Sequence, residues 1–496
     1  MKVKTVSYLA GAGMLLTSLS VWSFTEPRTT RLDAVGSELS VAPPENTQAA
    51  NGAVFSTGRT LMLEGRLGHS RLLADKAGHT YMLFNVSAPN EAAENVRAPL
   101  NLAIVIDRSG SMKGKRLQNA RDAALGIIQR LRSGDVLSVV TYNARTEVLV
   151  PRTVIDDSTR ARAMAALGAL EAQGDTCISC GLEVAQGMLA AGSGNAAARM
   201  LLLSDGEPTV GIRDLNGFRA LAARVRQSGA AISSIGVDVE YNERTLAVLA
   251  QESNGRHHFV PDPSGLSRAF EAEFESLTRT VAHDAELTVE LPPGLEVDEI
   301  FDRSFRREGR RIVAPLGSLA AGEQKTLLAR VRLDASAAGE LPVAAATLRF
   351  SDASSGQRGE CSGALSLQIT RDADELVPLD AVVAARLQRS ETARTLTEAN
   401  ELFASGRGAL AQQRLTNKLD TLKQERKVAL SAAPAARARE LENDFERQER
   451  ALGAAAEGFA EQPPTAASAA PAKPQALRKG KEQVRSNQKE AVDLSF

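Results

Sequence analysis

One apolar run in this chain ends in three closely spaced oxygen-bearing side chains. The stretch NLAIVIDRSGSM, residues 101–112, places Asp107, Ser109 and Ser111 directly after a strand-like segment. Aspartate and serine at this spacing either cap the helix that follows or hold a cation. Oxygen ligands are those that Mg²⁺ prefers, and Mn²⁺ accepts the same set.

Two later segments offer further oxygen ligands. GDTCISCGLE places Thr176 in a loop before a helix, and MLLLSDGEP places Asp205 at the end of another buried strand. In an open α/β sheet, ligands bind at the carboxyl ends of the strands, so these side chains are expected to meet there. With both residues present, we favour a Mg²⁺ or Mn²⁺ site over helix capping. Asp175 and Glu207 flank the site and are expected to be solvated loop carboxylates.

The elements that must position these residues recur over residues 98–280. Strand-like runs such as LNLAIVID and AAISSIGVD alternate with amphipathic stretches such as GKRLQNARDAALGIIQRLR. Such alternation predicts a parallel sheet covered by helices on both faces. Helices are expected around 158–171 and 177–191. The pattern therefore predicts a doubly wound, Rossmann-like α/β domain.

The constellation Asp107, Ser109, Ser111, Thr176 and Asp205 resembles the metal-ion-dependent adhesion site of the von Willebrand factor A domain family. The family pattern is Asp-x-Ser-x-Ser, then a distant threonine and a distant aspartate, and this chain has that order. The resemblance implies that the serines and the threonine hold a Mg²⁺ or Mn²⁺ ion, while the aspartates supply charge and orient waters. It also implies that an Asp or Glu carboxylate of a partner protein completes the shell, so that the function is metal-dependent protein binding or adhesion.

The 496-residue chain is long enough for several domains. Residues 57–97 and 285–372 contain short strands separated by turn residues, which predict an antiparallel β-sandwich. We expect the α/β domain to be inserted into this sandwich. Residues 376–458 predict a helical hairpin or bundle, broken at the GRG of 406–408. This multidomain arrangement resembles bacterial von Willebrand A proteins and, loosely, inter-alpha-trypsin-inhibitor heavy chains.

The two ends of the chain have a different character. Residues 1–24 join a basic start to an apolar run, which predicts either a cleaved export signal or an uncleaved anchor that tethers the protein to a membrane. We therefore expect an exported protein of the periplasm, the cell envelope or the inner membrane. Residues 25–56 predict a flexible linker, and 459–496 a disordered tail.

The chain contains three cysteines, Cys177, Cys180 and Cys361. The first two lie at the start of the helix after the threonine loop, so they could form a local disulfide, a reactive redox pair or two small semi-buried thiols. Cys361 is expected to be a lone thiol in the sandwich. His257 and His258 are adjacent in a strand-like segment and face opposite sides, so a structural role is expected.

Several other functions are not favoured. Lys and Arg number 59 against 60 for Asp and Glu, and aromatic residues make up 4% of the chain, so nothing suggests nucleic-acid binding. We find no phosphate-binding loop, Ser-His-Asp order or paired catalytic carboxylates in the sequence, and we do not expect an enzyme. Three alternatives stay open: an envelope scaffold whose metal site only stabilises loops, a thiol-redox role of Cys177 and Cys180, and an accessory subunit of a metal chelatase.

Overall fold

The computed structural model describes residues 47–48, 52–90, 99–190, 197–205, 207–238, 241–335, 337–460 and 474–495. The predicted export signal or anchor lies outside the described residues, and so does the predicted linker up to residue 46. Among the described helices, none combines the length and the apolar character needed to span a lipid bilayer.

An alternating α/β region lies between two groups of strands, and helices follow. The strands are β1 (Thr47–Gln48), β2 (Val54–Gly58), β3 (Met62–Leu67), β4 (Arg71–Leu73), β5 (Lys76–Ser87), β6 (Leu100–Asp107), β7 (Val136–Tyr142), β8 (Thr146–Val154), β9 (Ala197–Ser204), β10 (Ala230–Val237), β11 (His257–Val260), β12 (Thr280–Glu290), β13 (Leu295–Phe301), β14 (Arg306–Glu308), β15 (Arg311–Ala320), β16 (Gln324–Ala335), β17 (Gly339–Asp352) and β18 (Arg358–Thr370). The α-helices are α1 (Lys115–Arg130), α2 (Asp157–Leu167), α3 (Ile178–Ala190), α4 (Leu215–Gln227), α5 (Glu243–Glu252), α6 (Leu266–Thr278), α7 (Ala381–Ala404), α8 (Gly408–Ala432), α9 (Ala435–Ala460) and α10 (Pro474–Ser495).

A six-stranded sheet forms the centre of the α/β region, with strand order β11-β10-β9-β6-β7-β8. Neighbouring strands are parallel, except that β8 runs antiparallel to β7. Every residue of β6 is buried because apolar helices cover both faces of the sheet. Ile104 and Ile106 pack with α1 and α6 on one face, whereas Ala103 and Val105 pack with α3 and α4 on the other. The predicted doubly wound α/β fold is confirmed.

The flanking strands form two further six-stranded sheets, ordered β1-β2-β3-β5-β16-β13 and β14-β15-β12-β17-β18-β4. Strand β5, before the α/β region, pairs antiparallel with β16, after it, over residues 76–87 and 324–335. Phe84 from the first sheet and Leu287 from the second contribute to one shared core. A sheet built from both segments is the arrangement that insertion of the α/β domain into a sandwich requires.

Helices α7, α8 and α9 share an apolar core in which Leu396, Leu415 and Phe445 are fully buried. Helix α7 ends at Ala404 and α8 begins at Gly408, so a break lies at the predicted GRG. Gly406 has a φ of +76°, a backbone conformation that glycine adopts without the steric cost of a Cβ atom. The helical region follows the sandwich as predicted.

The outer face of the first sandwich sheet is covered by helix α7. Leu83 and Leu328 point away from the sandwich core and pack against Val383 and Leu387. Because side chains alternate along a strand, one sheet can bury apolar residues on both faces. The helical region is thus attached to the sandwich through apolar contacts.

The predicted disordered tail at 459–496 is wrong for its C-terminal part, which forms α10. Val484 and Leu494 are buried in the core of the helical region, and Arg485 donates to the Tyr241 carbonyl at 2.8 Å. Few apolar residues occur in this segment, and its helix is stabilised by tertiary packing that a local pattern does not contain. The part between α9 and α10 lies outside the described residues.

Two predicted boundaries also differ from the structure. Strand β1 lies within the predicted linker, and β2 begins at Val54 rather than at residue 57. Phe55 is buried, and a Cβ atom on Gly65 or Gly363 would overlap its ring, so this strand belongs to the sandwich core. The sandwich resumes at Thr280, directly after α6, and not at residue 285.

Phe84→Ala should destabilise the sandwich by about 3–5 kcal/mol, because it leaves a cavity in a closely packed core. Phe84 is 0% exposed, whereas Phe305 is 43% exposed and provides a matched control. Phe305→Ala should change the free energy of unfolding by less than about 0.5 kcal/mol. Chemical denaturation of both variants checks this, and equal effects would contradict the assignment of Phe84 to the core.

Candidate metal centre

Three neighbouring strands of the α/β sheet lead into a carboxylate at the same edge. Strand β6 ends at Asp107, Asp205 follows β9, and Asp238 follows β10. Because these strands are adjacent and parallel, their carboxyl ends lie side by side. The structure thus brings together the two predicted aspartates and adds Asp238, which the sequence analysis did not single out.

Asp107 is fully buried, and both of its carboxylate oxygens accept hydrogen bonds. Oδ1 accepts from the Ser109 N–H at 2.8 Å, and Oδ2 accepts from Ser204 Oγ at 2.8 Å. Burial raises the pKa of Asp107 to about 6 with a smaller contribution from Asp205, even though these hydrogen bonds lower it. A negative charge at this position is therefore only partly compensated by the surrounding protein.

The two predicted serines form a chain of hydroxyl groups that reaches Asp205. Ser109 Oγ lies 3.0 Å from Ser111 Oγ, and Ser111 Oγ donates to Asp205 Oδ1 at 2.7 Å. Neither hydroxyl caps a helix: the short 3₁₀ turn after Ser109 and helix α1 after Gly114 both begin without a side-chain cap. The geometry therefore does not support helix capping as the role of these serines.

Thr176 is buried in the loop before α3, and backbone hydrogen bonds place that loop at the same edge. The Gly110 N–H donates to the Gly174 carbonyl at 2.9 Å. The Thr209 and Val210 N–H groups donate to the Thr176 carbonyl at 2.9 and 3.1 Å. The Thr176 loop thus lies between the segment that contains Ser109 and Ser111 and the segment that follows β9.

Exposure changes across the cluster from one end to the other. Asp107 is buried at the strand end, whereas Ser111 is exposed. Asp175 and Glu207 are exposed as well, as expected for loop carboxylates. The cluster therefore has a dry inner end and a solvent-facing outer end.

Cys177 and Cys180 are joined by a disulfide, which is one of the states that the sequence left open. Cys177 is fully buried and Cys180 is partly exposed. Cys361 is a free thiol in β18, and burial raises its pKa to about 11. The disulfide lies directly beside the Thr176 loop.

The two histidines make separate contacts away from the aspartates. The ring nitrogens of His257 lie 2.9 Å from Ser234 Oγ and 3.2 Å from the Tyr241 hydroxyl, and burial lowers its pKa to about 3. His258 Nε2 lies 3.2 Å from Glu273 Oε2. These contacts are those of structural side chains inside the α/β domain.

Arg116 is the main residue of the site that sequence reasoning missed. Its guanidinium donates to Asp205 Oδ2 at 2.9 Å and to the Ser111 carbonyl at 2.8 Å, and it also forms a close ion pair with Asp238. The sequence contained one indication of its role. An arginine in the first turn of a helix is unfavourable next to the helix dipole, which indicates a tertiary partner.

Comparison with known proteins identifies the α/β region. Residues 101–272 match the family model of the von Willebrand factor type A domain. This region is a von Willebrand factor type A (VWA) domain. The resemblance of this region to the von Willebrand factor A domain family is confirmed. Domains of this family commonly mediate protein–protein interaction and typically bind a divalent metal.

Relatives share the VWA domain within chains of different length. An uncharacterized protein of Synechocystis is 28% identical over 283 residues, which are 55% of this chain and 66% of that protein. Inter-alpha-trypsin inhibitor heavy chain H1 of Sus scrofa is 27% identical over 199 residues, 38% of this chain and 22% of that relative. The matches span less than two thirds of either relative.

A solved structure, a von Willebrand factor type A protein from Catenulispora acidiphila, is also similar to this protein. The match covers 86% of this chain and 96% of the solved chain, with 19% sequence identity and a TM-score of 0.65, which shows a shared fold.

The residues at this edge of the VWA domain fit a divalent cation. Two carboxylates and three hydroxyls offer only oxygen, the donor set of Mg²⁺ and Mn²⁺. Among the described residues, no group of three or more His, Cys, Asp or Glu side chains could hold a metal ion, so a metal here depends on the hydroxyls. Burial raises the pKa values of both Asp107 and Asp205, and a bound cation would offset that cost.

The metal-free protein should lose stability relative to its Asp107→Asn variant as the pH rises from about 4 to about 6. The pKa of Asp107 is about 6 in the folded protein against an ordinary value of 3.8. The folded state therefore binds the Asp107 proton more tightly than the unfolded state does. Protonation stabilises the fold fully at a pH below the ordinary pKa, and this stabilisation is lost as the pH rises through the pKa of the folded protein. The loss amounts to at most about 3 kcal/mol.

Chemical denaturation in the presence of a chelator, at several pH values between about 4 and 7, measures this difference. The asparagine variant resembles the protonated aspartate in shape and should lack this contribution. Parallel pH profiles of the wild type and the variant would contradict the raised pKa.

Proposed function

We propose that this protein captures a carboxylate of a partner protein through a Mg²⁺ or Mn²⁺ ion held at the edge of the VWA domain. The observation that carries the proposal is the continuous oxygen cluster from buried Asp107 through Ser109 and Ser111 to Asp205. The exposed Ser111 marks the side from which a partner would approach.

The residues of the cluster would have two different roles in metal binding. Ser109, Ser111 and Thr176 would hold the ion, while Asp107 and Asp205 would supply negative charge and orient bound waters. A bound cation supplies an electrophilic position to which an Asp or Glu of the partner adds a charge-assisted contact. Neutral hydroxyl ligands leave more of the cation's charge available to that carboxylate than anionic ligands would.

The proposed activity is binding without catalysis, in an exported protein. The basic and then apolar residues 1–24 support export to the periplasm or cell envelope, either with cleavage or with retention as a membrane tether. The sandwich and the helical region would position the VWA domain toward its partner. A protein partner also agrees with the general role of VWA domains in protein–protein interaction.

Titration calorimetry of Mg²⁺ and Mn²⁺ into the full chain tests the metal site. The wild type should show saturable binding, and Asp107→Ala should abolish it because the buried carboxylate supplies charge to the cluster. Asp175→Ala is the matched control, since Asp175 is an exposed loop carboxylate beside the site. Binding that is absent from the wild type, or retained in Asp107→Ala, would contradict the proposal.

The partner step needs its own measurement. Immobilised peptides that carry an exposed Asp or Glu should retain the protein in Mg²⁺ and release it in chelator, and their Asn or Gln counterparts should not retain it. Retention that is indifferent to chelator would favour the alternative of an envelope scaffold whose metal only stabilises loops.

Arg116 places a positive charge directly on the cluster, and this charge opposes a divalent cation. Its guanidinium contacts Asp205 Oδ2, an oxygen of the carboxylate that the proposed site uses. It also helps to compensate the buried charge of Asp205 when no metal is bound. Arg116 thus competes with a metal for the same negative charge.

Arg116→Gln should bind Mg²⁺ roughly tenfold more tightly, because one unit of positive charge beside the ion is removed. Arg121→Gln is the control, since Arg121 lies on the same helix and contacts the Gly168 carbonyl rather than the cluster. Calorimetry compares the three proteins. Weaker binding by Arg116→Gln would show instead that the guanidinium positions Asp205 for the ion.

A further inference from the structure

The Thr176 loop and the loop after Asp205 are joined by a compact set of hydrogen bonds. The Thr176 N–H donates to Thr209 Oγ1 at 2.9 Å, and the Thr176 carbonyl accepts from the Thr209 and Val210 N–H groups. Three residues further along, the Ile212 N–H donates to Ser179 Oγ at 3.1 Å. These hydrogen bonds therefore join the loop that carries Thr176 and the loop that follows Asp205 into one hydrogen-bonded unit.

The Cys177–Cys180 disulfide lies inside this unit and packs against the backbone of the second segment. A Cβ atom on Gly211 would lie 2.6 Å from Cys177 Sγ and 2.5 Å from Ser179 Oγ, so no side chain fits there. The φ of Gly211 is +74°, which glycine adopts at little cost. The loop after Asp205 is thus in direct contact with the sulfur atoms.

The disulfide is also anchored on the opposite side, at the end of β7. The Cys177 N–H donates to the Asn143 carbonyl at 2.9 Å, and Asn143 Nδ2 donates to the Gln173 carbonyl at 2.9 Å. Cys177 is fully buried between the end of β7 and the loop after Asp205, whereas Cys180 is a partly exposed residue. A change at the sulfur atoms would therefore act on the tightly packed loop that contains Gly211.

We propose that Cys177 and Cys180 form a reversible redox site that sets the metal affinity of the VWA domain. In the oxidised state the disulfide keeps Thr176 and residues 209–212 in the arrangement described above. Two thiols need more room than two bonded sulfurs, and the adjacent space is filled by Gly211 and Ser179, so reduction displaces the joined loops. The link to metal affinity rests on the proposed function, whereas the displacement of the loops does not.

The redox step requires an external dithiol, either a small molecule or a protein. One thiolate of the dithiol attacks Cys180 Sγ, the disulfide bond breaks, and Cys177 Sγ leaves with the electron pair and takes a proton. The second thiol of the reductant then attacks the mixed disulfide and releases Cys180 as a thiol. Two electrons and two protons pass to the protein, and the reductant ends as its own disulfide.

The test compares the oxidised and the dithiothreitol-reduced full-length protein in two measurements. Calorimetry gives the Kd for Mg²⁺, and hydrogen exchange of the metal-free protein follows the amides of Thr209, Val210 and Ile212. Reduction should weaken Mg²⁺ binding about tenfold, the lower end of what supporting residues cost a metal site. It should also speed exchange at these three amides.

Two variants separate the disulfide from other effects of reductant. The double variant Cys177→Ser, Cys180→Ser should bind Mg²⁺ as weakly as the reduced wild type and should not respond to dithiothreitol. Cys361→Ser should keep the full response, because this lone thiol lies in β18 of the sandwich. The reduced wild type is itself a test without mutation, which matters if the double variant folds poorly.

Each outcome is decisive. Unchanged exchange on reduction overturns the redox site, whatever the metal result. Faster exchange with an unchanged Kd, or a disulfide that excess dithiothreitol does not open, overturns redox control of the metal site. If the oxidised wild type binds neither Mg²⁺ nor Mn²⁺, the proposed function fails, and the exchange measurement still decides whether the disulfide holds the loops.

Discussion

The site is governed by one electrostatic constraint: Asp107 and Asp205 lie close together in a place that water hardly reaches. Burial raises the pKa of each carboxyl group, which shows that the charged forms are poorly solvated. The chain compensates with hydroxyl and backbone donors and with the guanidinium of Arg116. Such compensation is incomplete in a buried site. An arrangement that needs further positive charge, and whose carboxylates and hydroxyls offer only oxygen atoms as ligands, is therefore receptive to a hard cation.

The remaining domains reach this edge of the VWA domain through the C-terminal helix. Arg478 on α10 lies 3.8 Å from an oxygen of Asp238, and Asp238 is bound by Arg116, which in turn contacts Asp205. Alternating charges thus connect a helix of the C-terminal region to a proposed metal ligand. Because these residues are partly exposed, salt screens the outer members more than the inner ones. Helix α10 thus lies beside the edge of the VWA domain at which these strands end.

Sequence reasoning located Asp107, Ser109, Ser111 and Asp205 because the rule for strand ends needs only local information, an apolar run followed by polar residues. Sequence reasoning did not identify Arg116 because its partners are far away in sequence, although a positive charge in the first turn of a helix is unfavourable next to the helix dipole. Helix α10 was not predicted for a related reason, because its few apolar residues are buried through contacts with other helices. Local patterns thus predict the elements and the polar side chains at the strand ends, whereas groups that act through distant partners require the tertiary structure.

Charge and geometry act on this site through different residues. Arg116 changes the charge around Asp205 without being part of the loop that carries Thr176. Opening the Cys177–Cys180 disulfide would leave the net charge unchanged as long as the two thiols stay protonated, so the proposed redox site would act through the positions of the loops. As a ligand of the proposed metal site, the neutral hydroxyl of Thr176 would contribute mainly through its position, so its contribution would be sensitive to loop geometry. A carboxylate acts over a longer range and tolerates small displacements better. In the proposed metal site, Asp205 would thus make a long-range electrostatic contribution and Thr176 a short-range geometric one, and the two could be varied independently.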